Sequence, residues 1–477
     1  MSIKVYNTLS RQIEDFVPMN GNEVKMFVCG QTVYDDAHIG HAKVYINFDV
    51  IASWLRRSGF KLKYVQNITD VEDKIIARAA ESGTTAEALA RHFEERFLDD
   101  MSALNVRRNV DAYMRSSDYI DPVRKQIQLL IDNGYAYILD GDIYYDVARF
   151  EDYTKLSRMK LDELVKHRIE PREGKRNPYD FALWKASKPG EPSWDIKLTI
   201  GGEERKFSGR PGWHIEDTAM TYSVFGPQYD IHGGALELLF PHHSNEIAQA
   251  EAAFGKKPFV KYWMHVGVLT VNGVKMSKSL KNFIRIRDVL KDYDPEVLRL
   301  IFSMSHYRKD VDFTSDLLGS SRKQLNDMYS SLSVLFHAAE SEESSGAIEK
   351  IAQEISAGFG KAMDYDFNTP EAMSHLISGL NHIKKEIKGG VAITSAEKQA
   401  VLSSILGMGA VIGIFFKESY RDALPKEPKD LITAREKLRE AGDYIRSDRM
   451  REELENRYGI SIEDTQYGTI WYRKNLI

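Results

Sequence analysis

Three groups of side chains in this 477-residue chain have the types and spacing to do chemistry. The first is His38-Ile39-Gly40-His41. At i and i+3 in the first turn of a helix, two imidazoles share one face beside unpaired backbone N–H groups, which attract phosphate. Gly40 has no Cβ, so a flat base can approach the backbone there. The second group is Lys275-Met276-Ser277-Lys278-Ser279. Two lysines on a glycine-flanked loop can reach a triphosphate and neutralise charge that builds on leaving pyrophosphate. Ser277 and Ser279 suit phosphate oxygens or a helix cap. The third group is Cys29, Asp217, His242 and Glu246, all potential metal ligands. His242 and Glu246 stand at i and i+4, on one helical face with Cβ atoms about 6 Å apart. Each alone has an ordinary explanation: surface histidines, an exposed basic loop, a small core thiol, a solvated carboxylate.

The elements that position these groups are also readable. Lys25 to Cys29 is a short buried strand ending at Gly30, and a polar loop leads to the helix that His38 opens. Val44, Phe48, Ile51 and Leu55 make one apolar helical face, and Gly59 ends it. Lys63 to Ile68 is the next strand. Strand, helix and strand form a βαβ unit, which places ligands at the carboxyl ends of its strands, where Cys29 and Thr69 fall. From 112 to 210 the pattern changes and reads as an insertion. The nucleotide fold resumes near Trp213, with Tyr229 to Gly234 as strand and loop and Pro241-His242-His243 opening a helix. Beyond Thr314 the period is helical, broken by a Ser/Glu-rich stretch at Ser341 to Gly346. Pro425 and Pro428 mark a linker to a small closing module.

Composition bounds the class. With 43% hydrophobic and 28% charged residues, the chain can build about three cores and is not disordered. No apolar run of about 18 residues suggests a membrane span, and the first residues lack a signal-peptide apolar region. One cysteine excludes an intramolecular disulfide framework and suits a reducing, cytoplasmic compartment. A net charge of −5, from 65 basic and 70 acidic residues, neither supports nor excludes an RNA partner.

The histidine and lysine motifs, in this order, resemble the paired signatures of class I aminoacyl-tRNA synthetases. The resemblance becomes closer over longer stretches: Phe27-Val-Cys-Gly-Gln-Thr-Val-Tyr34, Asn67-Ile-Thr-Asp70, Asp180-Phe-Ala-Leu-Trp-Lys185, Gly209-Arg-Pro-Gly-Trp-His-Ile-Glu216, Phe240-Pro-His-His243 with Asn245-Glu246, and Asp366-Phe-Asn-Thr-Pro370. Together they resemble cysteinyl-tRNA synthetases from end to end. The resemblance implies an α/β fold: a Rossmann-type catalytic domain in two halves, 1–111 and 211–255, with a connective insertion at 112–210. A region carrying the lysine loop and contacting the RNA stem (256–314), an α-helical bundle (315–425) and an anticodon-binding module (426–477) would follow.

It also implies Mg-ATP, L-cysteine and tRNA-Cys as substrates, one zinc per chain, no membrane and a monomer. The catalytic residues would be His38, His41, Lys275 and Lys278, with His38, Gly40, His41 and Lys278 binding ATP. Gly30, Thr69, Trp213 and His232 would contact the substrate cysteine, and Cys29, Asp217, His242 and Glu246 would hold the metal. Arg435, Lys437, Arg439, Arg446, Arg449 and the segment from Trp471 would read RNA by stacking and hydrogen bonds. Three rivals stand beside it: a cysteine ligase acting on a non-tRNA amine, a degenerate paralogue that binds tRNA without charging it, and an adenylating enzyme for another amino acid, which Cys29, His242 and Glu246 disfavour.

This chain departs from the family at Asp217, where the second cysteine ligand belongs. Ligand charge is unchanged, and aspartate binds zinc at about 2.0–2.2 Å against about 2.3 Å for thiolate. A smaller departure places Ala235 and Glu237 where the family has Gly and Asp. Ala235 is expected at a left-handed position, costing roughly 1 kcal/mol. For Asp217 the expected outcome is that Asp217→Cys keeps activity, whereas Asp217→Ala raises KM for cysteine more than KM for ATP in steady-state assays.

Overall fold

The computed structural model describes residues 2–159, 172–276, 280, 282–465 and 468–473. The chain divides into two compact units, Ser2–Lys291 with Tyr307–Asp312, and Asp292–His306 with Phe313–Ile477. The first unit is built on a five-stranded parallel sheet, in spatial order Val260–Val266, Tyr229–Ala235, Glu23–Thr32, Lys61–Thr69 and Ala112–Arg115. Val24, Met26, Phe27 and Val28 are all buried, as a parallel strand covered on both faces requires. The helix Ile39–Arg57 leaves Glu23–Thr32 towards Lys61–Thr69, while Ser244–Phe254 joins Tyr229–Ala235 to Val260–Val266. The strand order therefore reverses between Glu23–Thr32 and Tyr229–Ala235. Such a reversal opens a crevice at the carboxyl ends of the two strands.

The sheet reaches past two expected boundaries. Ala112–Arg115 pairs with Lys61–Thr69 rather than opening the insertion, and Val260–Val266 pairs with Tyr229–Ala235 beyond the expected limit at 255. A four-residue strand carries too little periodicity to be read from sequence. The insertion contributes the helix Ile120–Asp132 and an antiparallel sheet ordered Ala136–Leu139, Asp142–Tyr145, Phe181–Ala186, Glu203–Pro211, Trp194–Ile200. Its strand Glu203–Pro211 runs through Trp213 into the helix Ile215–Phe225, which carries Asp217.

Close approach decides two glycines. A Cβ on Gly30 would stand 1.7 Å from the Asn67 carbonyl oxygen, and one on Gly233 would stand 2.2 Å from the Phe48 ring. Ala235, in contrast, has φ −69° and ψ 146°, so the expected left-handed strain is not there. The loop needs its small residues for contact, not for backbone conformation. Lys43, on the His38 helix, is buried with its Nζ 2.7 Å from the carbonyl oxygens of both Gly267 and Lys309. Burial lowers its pKa to about 8.

In the second unit the helices Ser315–His337, Ala347–Asp364, Thr369–Lys388 and Ser395–Ile412 form the expected bundle. The closing module is two helices, Lys426–Glu440 and Tyr444–Tyr458, and a hairpin, Ile460–Thr465 with Gly468–Arg473. Pro428 lies inside the first of those helices rather than in a linker, as a proline in a first turn can. Arg435 is not an RNA reader in this arrangement. Its buried guanidinium pairs in bidentate fashion with Asp464, at 2.6 and 2.7 Å, where Arg439 and Arg451 also converge. Trp471 packs on His337, with ring centroids 4.3 Å apart. Among the described residues no helix is long and apolar enough to cross a membrane. Gly30→Ala should lower the unfolding free energy by about 3 kcal/mol, the upper end of overpacking costs, as read by denaturant titration.

Candidate active site

The crevice opens into a cavity of about 870 Å³ whose wall includes Gly30, Thr69, Trp213, His38, Gly40 and His41. Cys29, Asp217 and His242 also line it, as does Lys275. Of the expected site residues, Lys278 lies outside the described residues, as do Ser277 and Ser279. His232 and Glu246 are fully buried behind the wall and face the ligand cluster.

The cluster is built from three parts of the chain. Strand Glu23–Thr32 supplies Cys29, helix Ile215–Phe225 supplies Asp217, and the helix Ser244–Phe254 with the turn before it supplies Glu246 and His242. Their ligand atoms all lie within 4.8 Å of one another and all four residues are buried. His242 Nε2 is 3.0 Å from Asp217 Oδ2 and 2.8 Å from Glu246 Oε1, and Cys29 Sγ is 3.8 Å from Asp217 Oδ2. Asn67 orients the aspartate. Its Nδ2 donates to Asp217 Oδ1 at 2.7 Å, which turns Oδ2 towards the cluster.

Two imidazoles that the four-residue set left out also reach the thiol. The Nε2 atoms of His232 and His243 are each 3.2 Å from Cys29 Sγ. His243 and Asn67 both stood within recognised motifs; adjacency to His242 was the signal for His243. Trp213 stacks on His242, with centroids 4.4 Å apart and planes 26° apart. Thr69 donates to Glu216 at 3.1 Å, so its hydroxyl is fixed at the cavity wall.

Charge in this cluster is finely set. Burial, reinforced by Glu246 and Asp217, pushes the Cys29 thiol well up. Burial would lower His242, but Glu246 and Asp217 outweigh it and raise its pKa to about 10. His242 therefore faces two carboxyl groups as an imidazolium. A divalent cation bound here would take over that neutralising role and release protons. Glu246 is wholly buried, with His242 Nε2 2.8 Å from its Oε1 and His232 Nε2 3.3 Å from its Oε2. A carboxylate so placed is suited to a cation, and thiolate, imidazole and carboxylate together are the donor types zinc takes.

At the other end of the cavity, His38 is the N-cap of Ile39–Arg57. Its Nδ1 accepts from Gly40 N at 3.1 Å and His41 N at 3.4 Å, while His41 Nδ1 accepts from His38 N at 3.3 Å. The two rings stack at 3.8 Å. The helix N–H groups expected to await phosphate are therefore capped by His38. A Cβ on Gly40 would meet that ring at 2.8 Å, so Gly40 admits the cap as well as a base. Burial, aided by His38, keeps His41 neutral well below the usual imidazole range. Lys275 ends a two-stranded hairpin, Leu269–Val271 with Val274–Lys275, and pairs with Glu237 at the cavity rim.

Comparison with known proteins agrees with this geometry. Residues 15–323 match the model for the tRNA synthetases class I (C) catalytic domain, and residues 358–417 match the DALR domain. The cysteine–tRNA ligase of Thermococcus gammatolerans is 43% identical over 491 residues, covering 99% of both chains. That of Methanococcus maripaludis is 40% identical, covering 99% of this chain and all of its own. The chain belongs to the cysteine–tRNA ligase family. Its fold is shared with more distant class I synthetases. Mycobacterium tuberculosis methionyl-tRNA synthetase in complex with methionyl-adenylate superposes with a TM-score of 0.57 at 14% identity, covering 82% of this chain and 89% of that one. The Agrobacterium radiobacter LeuRS–tRNA–LeuAMS complex gives 0.59 at 11%, covering 86% and 88%.

Within this ligase, burial also holds His214 and His243 neutral and pushes His265 down to about 3. Unfolded imidazoles gain protons below about pH 6.5 that these folded ones do not. The unfolded state then binds more protons, so stability should fall as pH drops below about 6.5. His242, held at about 10 in the folded state by Glu246 and Asp217, opposes this trend mainly above about pH 6.5. Glu246, raised by burial to about 7, opposes it as one further group, and the buried neutral imidazoles outnumber both. Thermal unfolding followed from pH 7.5 to 5.5 checks this, and a flat profile contradicts it.

Proposed function

We propose that this ligase joins L-cysteine to ATP as cysteinyl-adenylate, with release of pyrophosphate, and then passes the cysteinyl group to the terminal ribose of tRNA-Cys. The cysteine carboxylate attacks the α-phosphorus in line. His38, His41 and Lys278 stabilise the charge gathered on the phosphates, Lys275 assists at the leaving pyrophosphate, and Gly40 leaves room for the adenine. Gly30, Thr69 and Trp213 form the cysteine pocket, with His232 behind them. The family, the cavity and the position of His38 and His41 on its wall support this assignment.

Cys29, Asp217, His242 and Glu246 would hold a zinc ion, with Asn67 fixing the Asp217 carboxylate so that Oδ2 faces the other three. Zinc bound there supplies a borderline-soft acceptor for thiolate that a hydroxyl cannot match, so serine is refused without an editing domain. The observation that carries this reading is the convergence of four buried donors on one point beside the cavity. Asp217 stands in that convergence, which favours a working site over a degenerate one.

The module from 426 onward would read the anticodon. Exposed Tyr444, with the Arg439 guanidinium 5.9 Å over its ring, has the stacking chemistry for unpaired bases. The full-length match to the ligase relatives favours tRNA over a small amine as acceptor. The reading places a monomeric enzyme in the cytoplasm.

ATP–pyrophosphate exchange should require L-cysteine and ignore L-serine, and charging should require tRNA with the GCA anticodon. Chelation should abolish cysteine-dependent exchange and added zinc restore it. Equal exchange with serine overturns thiolate selection. His38→Ala should slow exchange by about 10²–10³-fold, the loss typical when one transition-state donor is removed.

A further inference from the structure

We propose that the cluster has a second position for a divalent cation of zinc type, formed by Cys29, His232, His243 and Glu246, beside the first and sharing its thiolate and carboxylate. The inference rests on the reading of the first position. The ligand atoms of this second set lie within 4.8 Å of one another, and all four residues are buried. Cys29 Sγ is 3.2 Å from both imidazole Nε2 atoms, and His232 Nε2 is 3.3 Å from Glu246 Oε2. Donors bound at about 2.0–2.3 Å around a common centre stand at comparable separations.

Glu246 straddles the two positions. Its Oε1 is 2.8 Å from His242 in the first set, and its Oε2 faces His232 in the second. Both oxygens are buried and meet imidazoles of the cluster, one from each set. A single cation would engage one side of this carboxylate and leave the other facing two imidazoles.

The imidazoles are oriented as ligands. A metal-binding histidine presents one nitrogen and has the other held from behind. His232 Nδ1 lies 2.6 Å from the Tyr229 hydroxyl, and its ring stacks on Trp263 at 4.4 Å. His243 Nδ1 lies 2.8 Å from His265 Nε2, and His265 Nδ1 lies 2.9 Å from Thr8 Oγ1. His242, in the first set, repeats the pattern, with Nδ1 2.9 Å from His214 Nδ1. Gly234 lets the His243 ring come in: a Cβ there would stand 3.0 Å from its Cε1.

Charge also fits two ions. Cys29, Asp217 and Glu246 contribute three negative charges when ionised. Two divalent cations leave one positive charge over, which one substrate thiolate cancels. Paired metal sites of this kind hold their ions about 3.5–4 Å apart.

Metal-free full-length protein titrated with Co2+ in equilibrium dialysis tests the proposal. The expected endpoint is two equivalents per chain, the second weaker and absent from purified enzyme carrying one zinc. His232→Asn and His243→Asn should each end at one. Saturation of the unsubstituted protein at one equivalent, unchanged in both variants, overturns the proposal. An error in the first position shows differently: His242→Asn would keep two equivalents while His243→Asn still removes one, and this proposal would stand. Should a variant fail to fold, X-ray absorption of unsubstituted protein loaded with two equivalents of zinc decides. Metal–metal scattering near 3.5–4 Å supports the shared cluster, and its absence overturns it.

Discussion

Three groups that carry negative charge when ionised, a thiol and two carboxyls, meet buried at the inner end of the crevice, and the rest of this fold is arranged around that fact. Unpaired, such charges would be far too costly to bury. Here each has an opposite or polar partner within reach: His242 beside both carboxylates, Asn67 on the far oxygen of Asp217, two further imidazoles against the thiol. The arrangement is tolerable as an imidazolium cluster and better suited to a cation.

The parallel sheet makes this meeting possible. Reversal of strand order between Glu23–Thr32 and Tyr229–Ala235 leaves a crevice at their carboxyl ends, and beside it Gly30 and Gly233 let Asn67 and Phe48 approach the two strands. The insertion then leads the chain back to the site. Its strand Glu203–Pro211 leads straight into Trp213 and the helix that carries Asp217, so the insertion ends where the residues that meet His242 begin.

Much of this was legible in the sequence because it rests on local patterns. The helical i, i+4 relation of His242 and Glu246 and the strand position of Cys29 placed those residues correctly, and the departure at Asp217 stood out against an otherwise matching motif. What sequence could not show depends on three-dimensional neighbours. Asn67 reads as a strand residue until its amide is seen holding Asp217. Ala235 looked strained because its loop was judged by motif rather than by φ. Arg435 reads from pattern as one of the cations facing RNA because pattern records charge and not burial; the carboxylate that engages it lies 29 residues away. The two edge strands escaped notice because they are short or lie beyond the motif that defines their unit.

Cys29 and Asp217 are separated by 188 positions along the chain, with the whole insertion between them. A ribosome emitting this polypeptide exposes the thiol long before its partners exist, so the nascent protein must carry a lone cysteine through most of the synthesis of its first unit. Closure of so long a loop is a late event, slowed by the entropy of the intervening segment. Assembly of the cluster thus belongs to the end of folding rather than its start, and a cation taken up there would act as a seal on a finished pocket, not as a seed around which the pocket forms.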